Sequence, residues 1–167
     1  MSDAKIPRIL IVLLVLSASV HFLTLYPQLP ERMASHFSVT GVPNGWMSKT
    51  SFFVLFPVIA IVLIVVSVAV PKTIAVLSPE YVNLPNKEYW LAPERRAGTA
   101  KYLEGALTWF ACMLLVLLLF GMYSAILANL HPDRGFNSTF FLAGLGFFAA
   151  FLIAWLIRLF AHFGRPR

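Results

Sequence analysis

The chain has 167 residues, of which 59% are hydrophobic and only 12% are charged, whereas soluble domains average about 25% charged residues. A single water-soluble globule cannot keep this much apolar surface away from water. The net charge of +6 does not indicate a nucleic-acid partner, because the 13 basic residues form no groove-sized cluster.

Asp, Glu, Lys and Arg are absent from four segments of at least 22 residues each. A helix rises about 1.5 Å per residue, so about 20 residues cross a hydrocarbon core of about 30 Å. Each segment can therefore span a bilayer once. The charge-free segments are 9–30, 50–71, 105–132 and 135–157. We predict an all-α integral membrane protein, a single membrane domain over 1–167, with one ordered external loop and a cytoplasmic loop carrying short interfacial helices.

The first helix is predicted at 7–26. Its basic start and small residues also fit a cleaved signal peptide, but apolar sequence continues to Leu25, which is longer than a usual signal core. We therefore favour a retained helix. The second helix is predicted at 51–70, with Pro71 ending it.

The segment 72–104 is the longest polar stretch of the chain. Pro79 and Pro93 each stand where a helix can begin, which predicts short helices at the membrane surface. The third and fourth transmembrane helices are predicted at 105–128 and 140–160.

Basic residues indicate the orientation, since cytoplasmic segments keep the excess of Lys and Arg. With the N-terminus inside, ten of the 13 basic residues are cytoplasmic and three are external. We predict a multi-pass protein of the inner (plasma) membrane, in contact with the lipid bilayer, with both termini in the cytoplasm.

The first external loop, residues 27–50, carries the most informative pattern. Asn44-Gly45 after Pro43 predicts a tight turn, because both residues tolerate positive φ. Trp46 is expected at the membrane interface, where an amphipathic indole is favoured.

The loop contains Leu-Pro, a basic residue, His-Phe, then Gly-x-Pro-Asn-Gly-Trp and Ser-Lys. With its flanking helices, about 9–70, it resembles the domain of unknown function 1648, which also occurs at the N-terminal end of SdpI-type immunity proteins. SdpI-type proteins confer immunity to a secreted peptide toxin and hold a repressor at the membrane. The resemblance therefore implies a bacterial protein with an immunity or signalling role. The implied functional loop comprises Pro30, Arg32, His36, Phe37, Gly41, Pro43, Asn44, Gly45, Trp46 and Lys49.

His21 lies inside the first predicted helix, and an ionisable side chain at membrane depth is by default a functional hypothesis. A neutral imidazole hydrogen-bonded to the loop is the alternative. His21, His36 and Glu31 show no spacing typical of a zinc site, such as H-x-x-x-H, so we predict neither a metal nor a cofactor.

Gly146, Ala150 and Ala154 recur every four residues in the fourth helix. Such a face permits close helix packing, either within the same bundle, which we favour, or in a dimer.

No nucleophile and base pair, phosphate-binding loop or carboxylate pair is evident, and no acidic residue lies in the four apolar segments. We therefore predict a non-enzymatic membrane protein that recognises a peptide or protein through its external loop. An accessory structural subunit of a larger membrane complex is the alternative, and a small transporter or membrane enzyme is a second. The sequence leaves the ligand and the oligomeric state open.

Overall fold

Four long apolar helices form the molecule in a computed structural model, which describes residues 4–164. All four are long and apolar enough to cross a membrane, which confirms the predicted fold class. The helices are α1 (Lys5–Leu25), α2 (Lys49–Val76), α3 (Lys87–Trp90), α4 (Pro93–Leu130) and α5 (Ser138–Phe163), the strands are β1 (Arg32–Phe37) and β2 (Pro43–Ser48), and 3-10 turns span Tyr26–Gln28 and Pro79–Tyr81.

Helix α2 does not end at Pro71, and this expectation was wrong. Proline removes one backbone hydrogen bond, but regular bonding resumes beyond it, and the N–H of Leu77 donates to the carbonyl of Thr73 at 2.9 Å. The last turn also gains a partner from α4, because Arg96 Nε donates to the carbonyl oxygen of Ile74 at 3.2 Å.

Helix α4 begins at Pro93, twelve residues before the predicted start at 105. Pro93 occupies the first helical position, as its missing N–H allows. The charged stretch that follows is helical but is not part of the apolar segment. Arg8 on α1 forms an ion pair with Glu104 on this extension.

The segment between α2 and α4 packs against the end of α5. Asn86 Nδ2 and Trp90 Nε1 both donate to the carbonyl oxygen of Phe163, at 2.9 and 3.0 Å. The ring of His162 stacks between those of Trp90 and Tyr102, with centroid distances of 4.9 and 3.6 Å. The short helix predicted at Pro79 is present as the Pro79–Tyr81 turn. The one predicted at Pro93 is instead the first part of α4, and the short helix α3 was not predicted.

Helix α4 is the centre of the bundle, because α1, α2 and α5 each pack on it, whereas α2 and α5 have no extended contact with each other. The buried core lies between α1, α2 and α4. Its most deeply buried members are Phe56, Leu115 and Ile126, and Met33 closes it from β1.

The small-residue face of α5 does not pack within the bundle, so that prediction was wrong. Gly146, Ala150 and Ala154 are exposed, and a Cβ added to Gly146 would meet nothing within 4 Å. Helix α5 instead approaches α4 through Gly144, where an added Cβ would lie 2.4 Å from Cε1 of Phe120. The dimer contact proposed for the exposed face stays a prediction.

Candidate functional site: a docked hairpin above an apolar cleft

The loop between α1 and α2 is ordered as an antiparallel hairpin of β1 and β2. Its turn is formed by residues 38–42, where the N–H of Ser38 donates to the carbonyl of Val42 at 2.8 Å. Gly41 takes the positive φ of 81° that this turn requires. Asn44 and Gly45 lie within β2, so the turn predicted at these two residues was wrong.

Two glycines of the hairpin lie where an added Cβ would be closely crowded. A Cβ on Gly41 would lie 2.4 Å from the carbonyl oxygen of Phe136 in the connection between α4 and α5. A Cβ on Gly45 would lie 3.0 Å from the Cβ of His36 on the opposite strand. Gly41 therefore allows the turn to dock, and Gly45 allows the strands to pair.

Lys49 closes the base of the hairpin. Its N–H donates to the carbonyl of Glu31 at 2.9 Å, and its ammonium lies 2.8 Å from the carboxylate of the same residue. The ammonium also lies 4.7 Å from the ring centroid of Tyr26, whose hydroxyl contacts that of Thr50 at 3.0 Å. The two strands are thus tied to the ends of α1 and α2.

Asn129 on α4 fixes the outer edge of β1. Its Oδ1 accepts from the N–H of Ala34 at 2.8 Å, and its Nδ2 donates to the carbonyl of Ala34 at 2.9 Å. Nδ2 also donates to the carbonyl of Ala125 one turn earlier on α4, at 2.8 Å. The amide satisfies both backbone groups of Ala34 as a third strand would, so the hairpin is anchored to the central helix.

The opposite edge of the hairpin, along β2, is open. In an antiparallel pair, residues whose backbone groups point outward face each other, and Ala34 is paired with Trp46. Because the N–H and C=O of Ala34 point to Asn129, those of Trp46 point away from β1. Outside the β1–β2 pairing, no backbone hydrogen bond within residues 4–164 reaches these two groups of Trp46.

The hairpin also has exposed apolar side chains. Val39 and Val42 at the turn are 81% and 59% exposed, and Trp46 is 50% exposed. The guanidinium carbon of Arg32 lies 5.9 Å from the ring centroid of Trp46 across the strands. Pro30, Pro43 and Asn44 are exposed as well.

A cleft of about 680 Å³ lies beneath the hairpin, between α2 and α5 over the surface of α4. Its walls are mostly aliphatic and aromatic, with Ile59 on α2, Leu118 on α4 and Leu142 on α5. Ser35, His36, Ser38 and Ser138 supply the polar groups, and all lie at the hairpin end. Among residues 4–164, no carboxylate lines it.

Phe37 of the hairpin and Phe136 of the connection between α4 and α5 form the roof of the cleft, at its hairpin end. The rings of Phe37 and Phe136 stack with centroids 4.4 Å apart and planes 14° from parallel. The hydroxyl oxygen of Ser138, at the start of α5, is buried and has no hydrogen-bond partner within residues 4–164. A buried hydroxyl without a partner is costly, so this oxygen is suited to a polar atom of a ligand.

The ten loop residues predicted from sequence all lie on the hairpin or at its base. His36 is exposed and its Nδ1 lies 3.1 Å from the hydroxyl of Ser35. His21 does not hydrogen-bond to the loop, so that alternative was wrong; its ring packs 5.6 Å from that of Tyr123. Within residues 4–164 no three His, Cys, Asp or Glu side chains gather to hold a metal ion.

Sequence reasoning missed the contributions of α4 and α5 to this site. Asn129, Phe136 and Ser138 lie 95 to 99 residues beyond the hairpin residues that they contact. One signal was present, because Asn129 is an amide near the end of an apolar segment, where a polar side chain needs a partner.

Residues 12–61 match the model of the domain of unknown function DUF1648. The match covers 50 of the 167 residues, so the similarity to DUF1648 is shown for this segment and not for the whole chain. The matched segment includes most of α1, the whole hairpin and the first half of α2, and it confirms the family predicted from the loop. The DUF1648 segment is docked by Asn129, which lies outside it. No curated protein and no solved structure matches the chain.

Proposed function

We propose that this chain is a non-enzymatic receptor that recognises a peptide or protein through its hairpin, on the outer face of a bacterial plasma membrane. One observation carries the proposal: the hairpin is fixed at its base and along β1, yet it exposes Val39, Val42 and Trp46. A fixed element that exposes apolar side chains is suited to binding, because little ordering entropy is lost on contact.

The open edge of β2 supports an extended peptide as the ligand. An added strand would form hydrogen bonds with the outward N–H and C=O of Trp46. Many sheets bind extended peptides in this way. The β1 edge is already occupied by Asn129 and offers no such place. The indole of Trp46 would supply an apolar anchor beside the backbone contacts.

The charge distribution supports the external location of the hairpin. Ten of the 13 basic residues lie on the side of the chain termini and of segment 72–104, and three lie on the hairpin side. An immunity or signalling role, as in SdpI-type proteins, is consistent with a peptide ligand that arrives from outside.

Site-specific photocrosslinking tests the proposal. The photoreactive residue p-benzoylphenylalanine is placed by Asn44→p-benzoylphenylalanine on β2, with Asp133→p-benzoylphenylalanine as the control on the neighbouring exposed connection. We expect a discrete peptide or protein adduct from position 44 in intact cells, and its loss when Trp46→Ala is added. The matched change Val54→Ala, on the exposed surface of α2, should leave the adduct intact. Equal adducts from positions 44 and 133, or no effect of Trp46→Ala, would contradict recognition by the hairpin.

An accessory subunit of a larger membrane complex is the second candidate, and one observation favours it. The face of Gly146, Ala150 and Ala154 is exposed and would allow a partner helix to approach closely. Purification in mild detergent separates the two functions. A stoichiometric partner that is lost with Gly146→Leu but retained with Trp46→Ala would favour the subunit role.

A further inference from the structure

We infer that the cleft beneath the hairpin binds one acyl chain of a membrane phospholipid from the leaflet on the hairpin side. This site goes beyond peptide recognition and does not depend on it. The cleft has apolar walls, lies between two membrane-spanning helices, and has all its polar groups at one end.

The position of the cleft across the membrane favours a chain from one leaflet. On α4 the lining runs from Leu114 to Ala125, which is about 17 Å at about 1.5 Å per residue. This is roughly half of a hydrocarbon core of about 30 Å. A chain that enters from the side between α2 and α5 fills such a space, since these two helices have no extended contact.

The roof argues against a transmembrane helix as the occupant. A helix that crosses both leaflets would have to continue past the hairpin end of the cleft. There the stacked rings of Phe37 and Phe136, and the close approach of Gly41 to the Phe136 carbonyl, join the hairpin to the start of α5. The site is closed in that direction and accepts a flexible chain that enters sideways.

The polar end of the cleft fits the ester region of a phospholipid. The buried hydroxyl of Ser138 has no partner within residues 4–164, and as a donor it matches an ester carbonyl. The other polar groups of the lining are Ser35, His36 and Ser38, and the described part of the chain places no carboxylate there to repel a phosphate. The acyl chain would lie along Ile59 and Leu118 below them.

Filling the cleft tests this site. Ile59→Trp places a large ring in the cleft, whereas Ile61→Trp makes the same change on the exposed surface of α2, where Ile61 is 61% exposed. The purified protein is stripped of lipid and titrated with palmitoyl-oleoyl phosphatidylethanolamine under native mass spectrometry. We expect one tightly held lipid in the wild type and in Ile61→Trp. Its affinity should fall about tenfold, or about 1.4 kcal/mol, in Ile59→Trp.

A second variant distinguishes loss of lipid binding from misfolding of the protein. Gly121 lines the cleft, and an added Cβ there meets only Cε2 of Phe141, at an ordinary 3.5 Å, so Gly121→Leu should fold while occupying the same space. Ser138→Ala should weaken lipid binding without filling the cleft. Equal lipid binding in the wild type and Gly121→Leu, with unchanged thermal unfolding, would overturn the assignment.

Photocrosslinking from within the cleft identifies any other occupant. The cleft-lining change Leu142→p-benzoylphenylalanine should give a lipid adduct in cell membranes, recognised by its mass. A discrete protein adduct, or a covalent dimer of the chain, would show that a helix fills the cleft and would overturn the lipid assignment.

Discussion

Asn129 shows at the scale of one residue how the hairpin is held. Its side-chain amide makes three hydrogen bonds, two of them to the backbone of Ala34, which is only 8% exposed. Without this amide, a buried N–H and a buried C=O lose their partners, and each such loss costs about 1–3 kcal/mol. A single side chain therefore couples the DUF1648 hairpin to the central helix.

Asn129→Ala should loosen the hairpin while the four helices stay inserted. We expect the free energy of unfolding to fall by about 2 kcal/mol and the amide of Ala34 to exchange with solvent at least about tenfold faster. Hydrogen exchange in detergent measures this. The control Asn83→Ala changes an exposed amide with no hydrogen bond within residues 4–164. Equal exchange at Ala34 in the two variants would mean that Asn129 does not anchor the strand.

Gly41→Ala should disturb the turn for two reasons. The positive φ of 81° is unfavourable for alanine, and the added methyl would meet the Phe136 carbonyl at 2.4 Å. We expect a loss of about 1–3 kcal/mol in thermal or denaturant unfolding. Gly98→Ala on α4, where an added Cβ meets nothing within 4 Å, should be neutral or slightly stabilising. The account of the turn fails if both substitutions have the same effect.

At the scale of elements, the four spans were predictable because each apolar segment lacks charge over a length that matches the bilayer. Their ends were less predictable. Pro71 does not stop α2, since Arg96 supplies a hydrogen bond to its last turn from a distant part of the chain. The helix of α4 continues into a charged segment, where helix propensity and membrane insertion give different boundaries.

The hairpin was predictable as an ordered loop, but not in its strand register. The Asn44-Gly45 pair is a strong turn signal in isolation, yet Gly45 lies where β2 closely passes the side chain of His36. The turn is instead set by Gly41 and its contact with Phe136. Long-range contacts of this kind leave no trace in a local pattern, which is also why the cleft was missed.

Two glycines of α5 should respond differently to the same substitution, because only one of them packs against α4. Gly144→Leu should force α5 away from α4, because a Cβ there would lie 2.4 Å from the ring of Phe120, and overpacking costs about 1–3 kcal/mol. Gly146→Leu should leave the monomer's thermal unfolding unchanged, since its surroundings are open. Thermal unfolding of the two variants in detergent measures this difference. A larger loss for Gly146→Leu would mean that the exposed face is packed in a dimer or complex.

At the scale of the whole molecule, the hairpin and the connection between α4 and α5 form one end of the bundle, joined by the Phe37–Phe136 stack. Segment 77–92 and the end of α5 form the other, joined through Trp90 and Phe163. The edge proposed to bind a peptide and the cleft proposed to bind a lipid thus share one end. The central claim is that this end faces outward, as the ten-to-three division of basic residues predicts.

Cysteine accessibility in intact cells tests that claim most directly. In a Cys112→Ala background, Val39→Cys and Asp133→Cys place thiols at the hairpin end, and Asn83→Cys places one at the opposite end; all three positions are exposed. We expect an impermeant maleimide to label positions 39 and 133 in intact cells, and position 83 only after permeabilisation. Labelling of position 83 from outside, with 39 and 133 protected until permeabilisation, would contradict the account.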